Sequence, residues 1–373
     1  MIAKIRNRRG CRPTAPSRQP SVCWQVHNVS ILEQSFNSFH SMLNTMASLA
    51  SAKQHEPDTG FIQLHRDDAD KIRAELRAGL LAPEPHASPK YLYDALGSKL
   101  FEAICELPEY YPTRTEASIF NTNLDDIAKA AGQGTTLIDL GAGNCAKAAR
   151  LFPALRPAQY VPVDISVDFL REAVANLRHR FPGIRMTGVG MDFSATLALP
   201  DEVASERRLF FYPGSSIGNY TPDDALAFLK RLRTACDSDG GLLIGVDLVK
   251  STATLDAAYD DALGVTASFN LNLLLHLNRL LGANFLVSDW KHLGFFNASR
   301  SRIEMHLEAQ SDVMVTWQGG ERRFVKGQRI HTENSYKYSP ENFTEMLYSS
   351  GFADVKTWTD PENWFLVCYA KAA

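Results

Sequence analysis

Residues 137–144 read Leu-Ile-Asp-Leu-Gly-Ala-Gly-Asn, and this stretch constrains the fold more than any other. Apolar residues around a single acid suit a buried strand, and a Gly-x-Gly turn follows. The run Cys145-Ala146-Lys147-Ala148-Ala149-Arg150 then suits a helix. A strand that turns on glycines into a helix brings backbone N–H groups close to a ligand. Gly141, Gly143 and Ala146 satisfy the spacing of dinucleotide sites. Asp139, two residues before the first glycine, favours S-adenosylmethionine. That ligand carries a sulfonium and an amino group and has no pyrophosphate, so a carboxylate and a short turn complement it.

Two further pieces follow in the order of a doubly wound sheet. Tyr160-Val161-Pro162-Val163 ends at Asp164, where an acid about 20–25 residues after the turn holds ribose hydroxyls. After a strand-like run from Ile184 to Val189, Asp192 and Phe193 set an acid beside an aromatic ring. Such a pair suits the amino group and face of adenine. The expected fold is α/β, a doubly wound and mostly parallel sheet, with S-adenosylmethionine as cofactor.

Strands are expected at Thr136–Leu140, Leu209–Tyr212, Gly241–Val249 and Trp364–Ala370, with helices between them. Alternation of this kind implies right-handed crossovers. From Lys250 to about Tyr336 the alternation stops: helices at 253–262 and 269–281 precede short strand-like pieces at 302–309 and 312–317. The expected organisation therefore has four parts. Residues 1–60 are disordered or follow a mis-assigned start, with Met42 or Met46 as the true one. Residues 61–113 form a helical segment packing on a substrate lobe. Residues 114–249 and 337–373 form the cofactor domain, and residues 250–336 form an inserted α+β substrate lobe. The Arg-rich, acid-poor start also has the composition of a transit peptide.

Bulk properties exclude several classes. The net charge is −3 and no basic face is evident beyond the N-terminus, so nucleic acid is not an expected partner. No run of about 18 apolar residues suggests a membrane span. The six cysteines are scattered without a Cys-x-x-Cys pair, which argues against a zinc site and for a reducing, cytoplasmic setting. No metal and no obligate protein partner are expected.

Several residues sit where a simple core does not need them. Tyr110 and Tyr111 lie in a Pro-bounded turn, Asn219 ends the loop Gly214-Ser215-Ser216-Ile217-Gly218-Asn219, and Tyr259 falls on a helix. Glu333 and Ser335 share one face of an extended segment, because side chains repeat every two residues. A carboxylate and a hydroxyl so placed can bind an imidazole.

The segments Leu107-Pro108-Glu109-Tyr110-Tyr111-Pro112-Thr113-Arg114-Thr115-Glu116, Gly214 to Asn219, Asp247-Leu248-Val249-Lys250, Tyr259-Asp260-Asp261, Gly264-Val265-Thr266-Ala267 and Arg302-Ile303-Glu304-Met305 resemble one family. It is the histidine-specific α-N-methyltransferases of ergothioneine biosynthesis, and the resemblance runs from about residue 65 to the C-terminus. It implies S-adenosylmethionine-dependent trimethylation of the α-amino group of L-histidine to hercynine. It further implies that Asn219 and Tyr259 hold the substrate carboxylate, and that Tyr110, Glu333 and Ser335 surround the imidazole. The resemblance also implies that Tyr93 and Gly214 lie near the amine, and Tyr93 is the candidate catalytic group for passing the amine's proton to water. Met305 shapes the side-chain pocket, and Gly141, Lys147, Asp164, Asp192 and Phe193 contact the cofactor. One departure stands out: the family's turn often continues Lys-Thr, and here Lys147-Ala148 lacks the hydroxyl. Related enzymes methylate a tryptophan derivative, the alternative substrate class, and Glu333 and Ser335 favour histidine over an indole.

Overall fold

The computed structural model describes residues 60–64, 68–194 and 196–372. The basic N-terminal stretch and the alternative starts at Met42 and Met46 lie outside the described residues. The first half of the chain runs β1 (Phe61–Gln63), α1 (Ala69–Leu81), α2 (Ala95–Cys105), α3 (Tyr111–Ala131), β2 (Thr136–Leu140), α4 (Ala146–Ala149), α5 (Phe152–Leu155), β3 (Gln159–Asp164) and α6 (Val167–Arg180). Then come β4 (Arg185–Met186), β5 (Gly188–Gly190), β6 (Arg208–Tyr212), α7 (Pro222–Ala235), β7 (Gly241–Asp247), α8 (Thr252–Tyr259) and α9 (Val265–Leu281). The rest is β8 (Trp290–Asn297), β9 (Arg302–Ala309), β10 (Val313–Trp317), β11 (Gly320–Phe324), β12 (Arg329–Tyr336), α10 (Pro340–Ser349), β13 (Phe352–Thr359) and β14 (Phe365–Ala372).

The large sheet has the order β1-β5-β3-β2-β6-β7-β14-β13, with β4 beside β3. Its strands are parallel except β14, which runs antiparallel to both β7 and β13. Every residue of β2 and β7 is buried, as expected where helices cover both faces of a parallel sheet. Alternate residues of one strand feed opposite faces: Leu137, Tyr160 and Leu209 enter one core, and Ile138, Val161 and Phe210 the other. The order reverses at β2, which has β3 on one side and β6 on the other. Ligands of such sheets bind in the crevice at that reversal, outside the carboxyl ends of the strands.

A third core joins α1, α2, α8 and α9 to the antiparallel sheet β12-β9-β8. The structure departs from the sequence reading in three places. Residues 61–63, expected within a helical segment, form a strand that extends the large sheet beside β5. The run from Ile184 to Val189 divides at Thr187 into β4 and β5. β8, β11 and β13 occupy stretches with no strand expected. Among the described residues no helix is long and apolar enough to cross a membrane.

Candidate active site

The glycine turn sits at the carboxyl end of β2. Gly141 and Gly143 have φ of 70° and 51°, backbone that side chains disfavour. The N–H groups of Gly141 and Ala142 donate to the Val163 carbonyl at 2.9 and 3.1 Å. The Gly143 N–H donates to Asp164 Oδ2 at 2.9 Å, and Asp164 Oδ1 accepts from the Ser166 N–H at 2.8 Å. The end of β3 therefore braces the turn. A Cβ built on Gly143 meets nothing within 4 Å, whereas one on Gly141 comes to 3.8 Å from the Phe193 ring. Beside that ring, Asp192 accepts from the Ser194 N–H at 3.0 Å. An open backbone cradle, a ribose-height acid and an acid-aromatic pair are the features a nucleoside needs, and these residues fit S-adenosylmethionine.

Asp139 has a different role from the one expected. It is 2% exposed and accepts a hydrogen bond from Tyr160 Oη at 2.7 Å. Burial pushes its pKa up to about 7 against the lowering effect of that bond. It ties β2 to β3 inside the sheet. Ala148 is fully buried too, so the hydroxyl missing there is not missing from an open surface.

A single cavity is lined by Tyr93, Tyr110, Gly214, Asn219, Tyr259, Met305, Glu333 and Ser335. They arrive from distant elements. Tyr93 ends the turn at Pro89–Leu92, Tyr110 precedes α3, Gly214 and Asn219 follow β6, and Tyr259 closes α8. On the antiparallel sheet Glu333 pairs with Met305 and Ser335 with Ile303, so the four side chains share a face. The loop bearing Asn219 reaches that sheet because Gly218 has no side chain. A Cβ there would stand 2.8 Å from the Tyr336 carbonyl oxygen. Tyr93 packs edge-on against Phe101 and Phe269, with ring centroids 5.5 and 5.4 Å away.

Glu333 is the unusual group of this cavity. It is 8% exposed, and among the described residues no donor hydrogen-bonds its carboxylate. Burial pushes its pKa up to about 7, opposed by the Lys337 charge. A buried carboxylate facing a cavity without a protein donor is a place for a ligand N–H. Burial also raises the phenols of Tyr93 and Tyr110 well above the ordinary tyrosine value. Both stay protonated near neutrality and can exchange hydrogen bonds but cannot store a proton.

Behind the cavity wall runs a buried polar chain. Tyr259 Oη donates to Ser335 Oγ at 2.9 Å. Lys337 Nζ donates to Ser335 Oγ at 2.8 Å and to Tyr259 Oη at 3.1 Å, and pairs with Asp247 Oδ2 at 2.7 Å. Asp247 also accepts from Lys250 Nζ at 2.6 Å and from Tyr111 Oη at 2.7 Å. A second junction lies nearer the glycine turn. Glu116 is 1% exposed; its Oε1 accepts from the Gly214 N–H at 2.7 Å and its Oε2 pairs with Lys147 Nζ at 2.7 Å. Lys147 Nζ lies 3.0 Å from where a Cβ on Gly214 would stand. Of the residues expected at the cofactor, Lys147 thus sits between the glycine turn and this cavity. Sequence reasoning gave no role to Glu116, Asp247 or Lys337. Lys337 follows Ser335 at the same two-residue spacing that sets Ser335 beside Glu333.

The sequence model of the family described as "Histidine-specific methyltransferase, SAM-dependent" matches residues 72–372. The chain is similar to the histidine N-alpha-methyltransferase of Mycolicibacterium smegmatis, 41% identical over 303 residues covering 80% of this chain and 94% of the relative. It is 36% identical to the Mycobacterium tuberculosis protein of the same name, over 81% of this chain and 93% of the relative. It is also 30% identical to "Ergothioneine biosynthesis protein 1" of Neurospora crassa, across 75% of this chain and 32% of that longer protein.

Proposed function

Because the chain belongs to the S-adenosylmethionine-dependent histidine-specific methyltransferases, we propose that it trimethylates the α-amino group of L-histidine to hercynine, for ergothioneine biosynthesis. The observation that carries this reading is Glu333, a buried carboxylate without a donor among the described residues, on a cavity that also holds a hydroxyl two residues along its strand. An imidazole supplies the missing N–H, and an indole leaves one of the two polar groups unpaired.

S-adenosylmethionine, when bound, supplies an electrophilic methyl carbon on a sulfonium. In this reading Gly141, Lys147, Asp164, Asp192 and Phe193 hold it. Asn219 and Tyr259 anchor the substrate carboxylate, and Tyr110, Glu333 and Ser335 hold the ring, with Met305 setting the depth of the side-chain pocket. Tyr93 and Gly214 flank the amine. Anchoring both ends of the amino acid fixes the α-nitrogen between them, where it would face the methyl group that the cofactor would supply. The amine must first lose a proton. Tyr93 accepts its hydrogen bond and relays the proton to water, since its own phenol stays protonated. The rings of Tyr93, Phe101 and Phe269 tolerate the cationic charge that builds on nitrogen. The division into a cofactor domain, residues 114–249 with 337–373, and a substrate lobe, residues 250–336, is part of the same proposal.

The test is mass spectrometry of L-histidine, L-tryptophan and histamine, each incubated with the protein and S-adenosylmethionine. Three methyl groups added to histidine, with none on histamine, is the expected result. Methylation of tryptophan in preference to histidine would overturn the roles of Glu333 and Ser335 and leave the cofactor site standing.

A further inference from the structure

Lys337 touches neither the cavity nor the glycine turn, yet its ammonium is fully buried and all three of its N–H bonds are committed. They go to Asp247 Oδ2, Ser335 Oγ and Tyr259 Oη at 2.7, 2.8 and 3.1 Å. An ammonium can only donate, so it occupies an acceptor position on each hydroxyl. The two hydroxyls also bond each other at 2.9 Å. Two hydroxyl protons are available, and that mutual bond uses one of them.

We propose that Lys337 is a specificity-determining positioning residue: by filling an acceptor position on both Tyr259 and Ser335 it leaves the pair a single free lone pair beside its single free proton, so the two ends of the substrate are read by one coupled switch. This rests on the reading of the preceding section, in which Tyr259 meets the carboxylate and Ser335 the ring. In the structure Tyr259 donates to Ser335, whose two lone pairs are then taken by Tyr259 and Lys337. In that orientation its own hydroxyl proton is left for the cavity, and Ser335 can only donate to a ligand. When a carboxylate takes the Tyr259 proton as a hydrogen bond, Ser335 turns to donate to Tyr259. One lone pair of Ser335 is then free and accepts from a ring N–H. The carboxylate thereby converts Ser335 from donor to acceptor, beside the Glu333 carboxylate.

Burial alone would lower the pKa of Lys337, but Asp247 and Tyr259 hold it above the ordinary lysine value, so the ammonium is permanently charged. Its donors do not reverse, and Asp247, fixed also by Lys250 and Tyr111, keeps it in place. Without Lys337, Ser335 would have a free lone pair in either orientation, and the ring would be accepted whether or not a carboxylate was present.

The experiment is a calorimetric cycle on the full chain with S-adenosylhomocysteine bound. L-histidine and histamine are titrated into the wild type and Ser335→Ala. One hydrogen bond near 1 kcal/mol corresponds to about fivefold in affinity. The affinity ratio of histidine to histamine is therefore expected to be about fivefold larger in the wild type than in Ser335→Ala. Equal ratios would mean that the ends are read independently, and would overturn the proposal. The cycle is then repeated on Lys337→Met, and on Lys337→Met with Asp247→Asn so that no buried carboxylate loses its lysine. The fivefold coupling should vanish in either background. Coupling that survives would remove Lys337 from the switch. Failure of the substrate assignment itself is visible separately, as an absence of histidine binding by the wild type.

Discussion

Replacing Glu333 by glutamine should make the ligand-free protein more stable and a worse binder of histidine. The carboxyl group titrates at 4.5 when unperturbed and at about 7 in the fold, where burial disfavours its charge. Below pH 4.5 it is protonated in both states, and the carboxyl costs the fold nothing. As pH rises toward 7 the unfolded chain ionises while the folded chain keeps its proton, so stability falls with pH. Above 7 the full cost is present. At about 1.4 kcal/mol per pH decade, the span from 4.5 to about 7 amounts to about 3 kcal/mol. A neutral amide of the same shape carries no such penalty. Urea unfolding of both proteins at pH 5 and pH 8 is the assay. Glu333→Gln should match the wild type within about 1 kcal/mol at pH 5 and exceed it by about 3 kcal/mol at pH 8. Asp139 titrates in the same range but is present in both proteins, so its contribution cancels in the difference. A stability difference that does not change with pH would show that the fold does not hold Glu333 protonated. In the same variant histidine should bind about tenfold more weakly or worse, through loss of a charge-assisted hydrogen bond.

Three other substitutions test the geometry around this site. Glu116→Ala releases both Lys147 and the Gly214 N–H; steady-state kinetics should show the KM of histidine and of cofactor rising together, each by about tenfold, and a change in only one would break the proposed link. Asp164→Ala removes the brace of the Gly143 turn and should weaken S-adenosylhomocysteine binding by about tenfold or more in calorimetry, while an unchanged dissociation constant takes Asp164 out of the site. Gly218→Ala drives a methyl to 2.8 Å from the Tyr336 carbonyl oxygen and should cost about 1–3 kcal/mol in urea unfolding, with histidine KM raised because Asn219 is pushed off the sheet; wild-type stability and KM would show that the loop approaches less closely.

The cofactor half of this fold is legible because each of its pieces is local. β2 and its glycines, β3 and Asp164, and β5 with Asp192 and Phe193 are each a strand, a turn and a polar residue within a few positions. Asp139 misleads because sequence shows an acid near a turn and cannot show Tyr160 reaching across from β3 to bond it. The stretch from β8 onward is harder. β9 alternates Arg302, Glu304, His306 and Glu308 with Ile303, Met305 and Leu307, a legible period of two, whereas β8 carries apolar residues on both faces. β13 is an edge strand broken by a register shift near Asp354, whose φ is 47°, and its polar alternation resembles a loop. The cavity residues come from six separate segments and were readable through their resemblance to a family rather than through periodicity. Lys337 and Glu116 escape for a different reason. A lysine or glutamate in isolation reads as surface, and only long-range pairing with Asp247 or Lys147 makes burial tolerable.

In the proposed pose the ring is held at Glu333 and Ser335 while the α-nitrogen faces the transferred methyl. Nuclear magnetic resonance of the product made from L-histidine and S-adenosylmethionine carrying a 13C-labelled methyl tests it directly. A single labelled resonance from three equivalent methyl groups on the α-nitrogen is the expected result, with both ring nitrogens unmodified. A labelled methyl on either ring nitrogen would mean that the amino acid lies the other way round in the cavity.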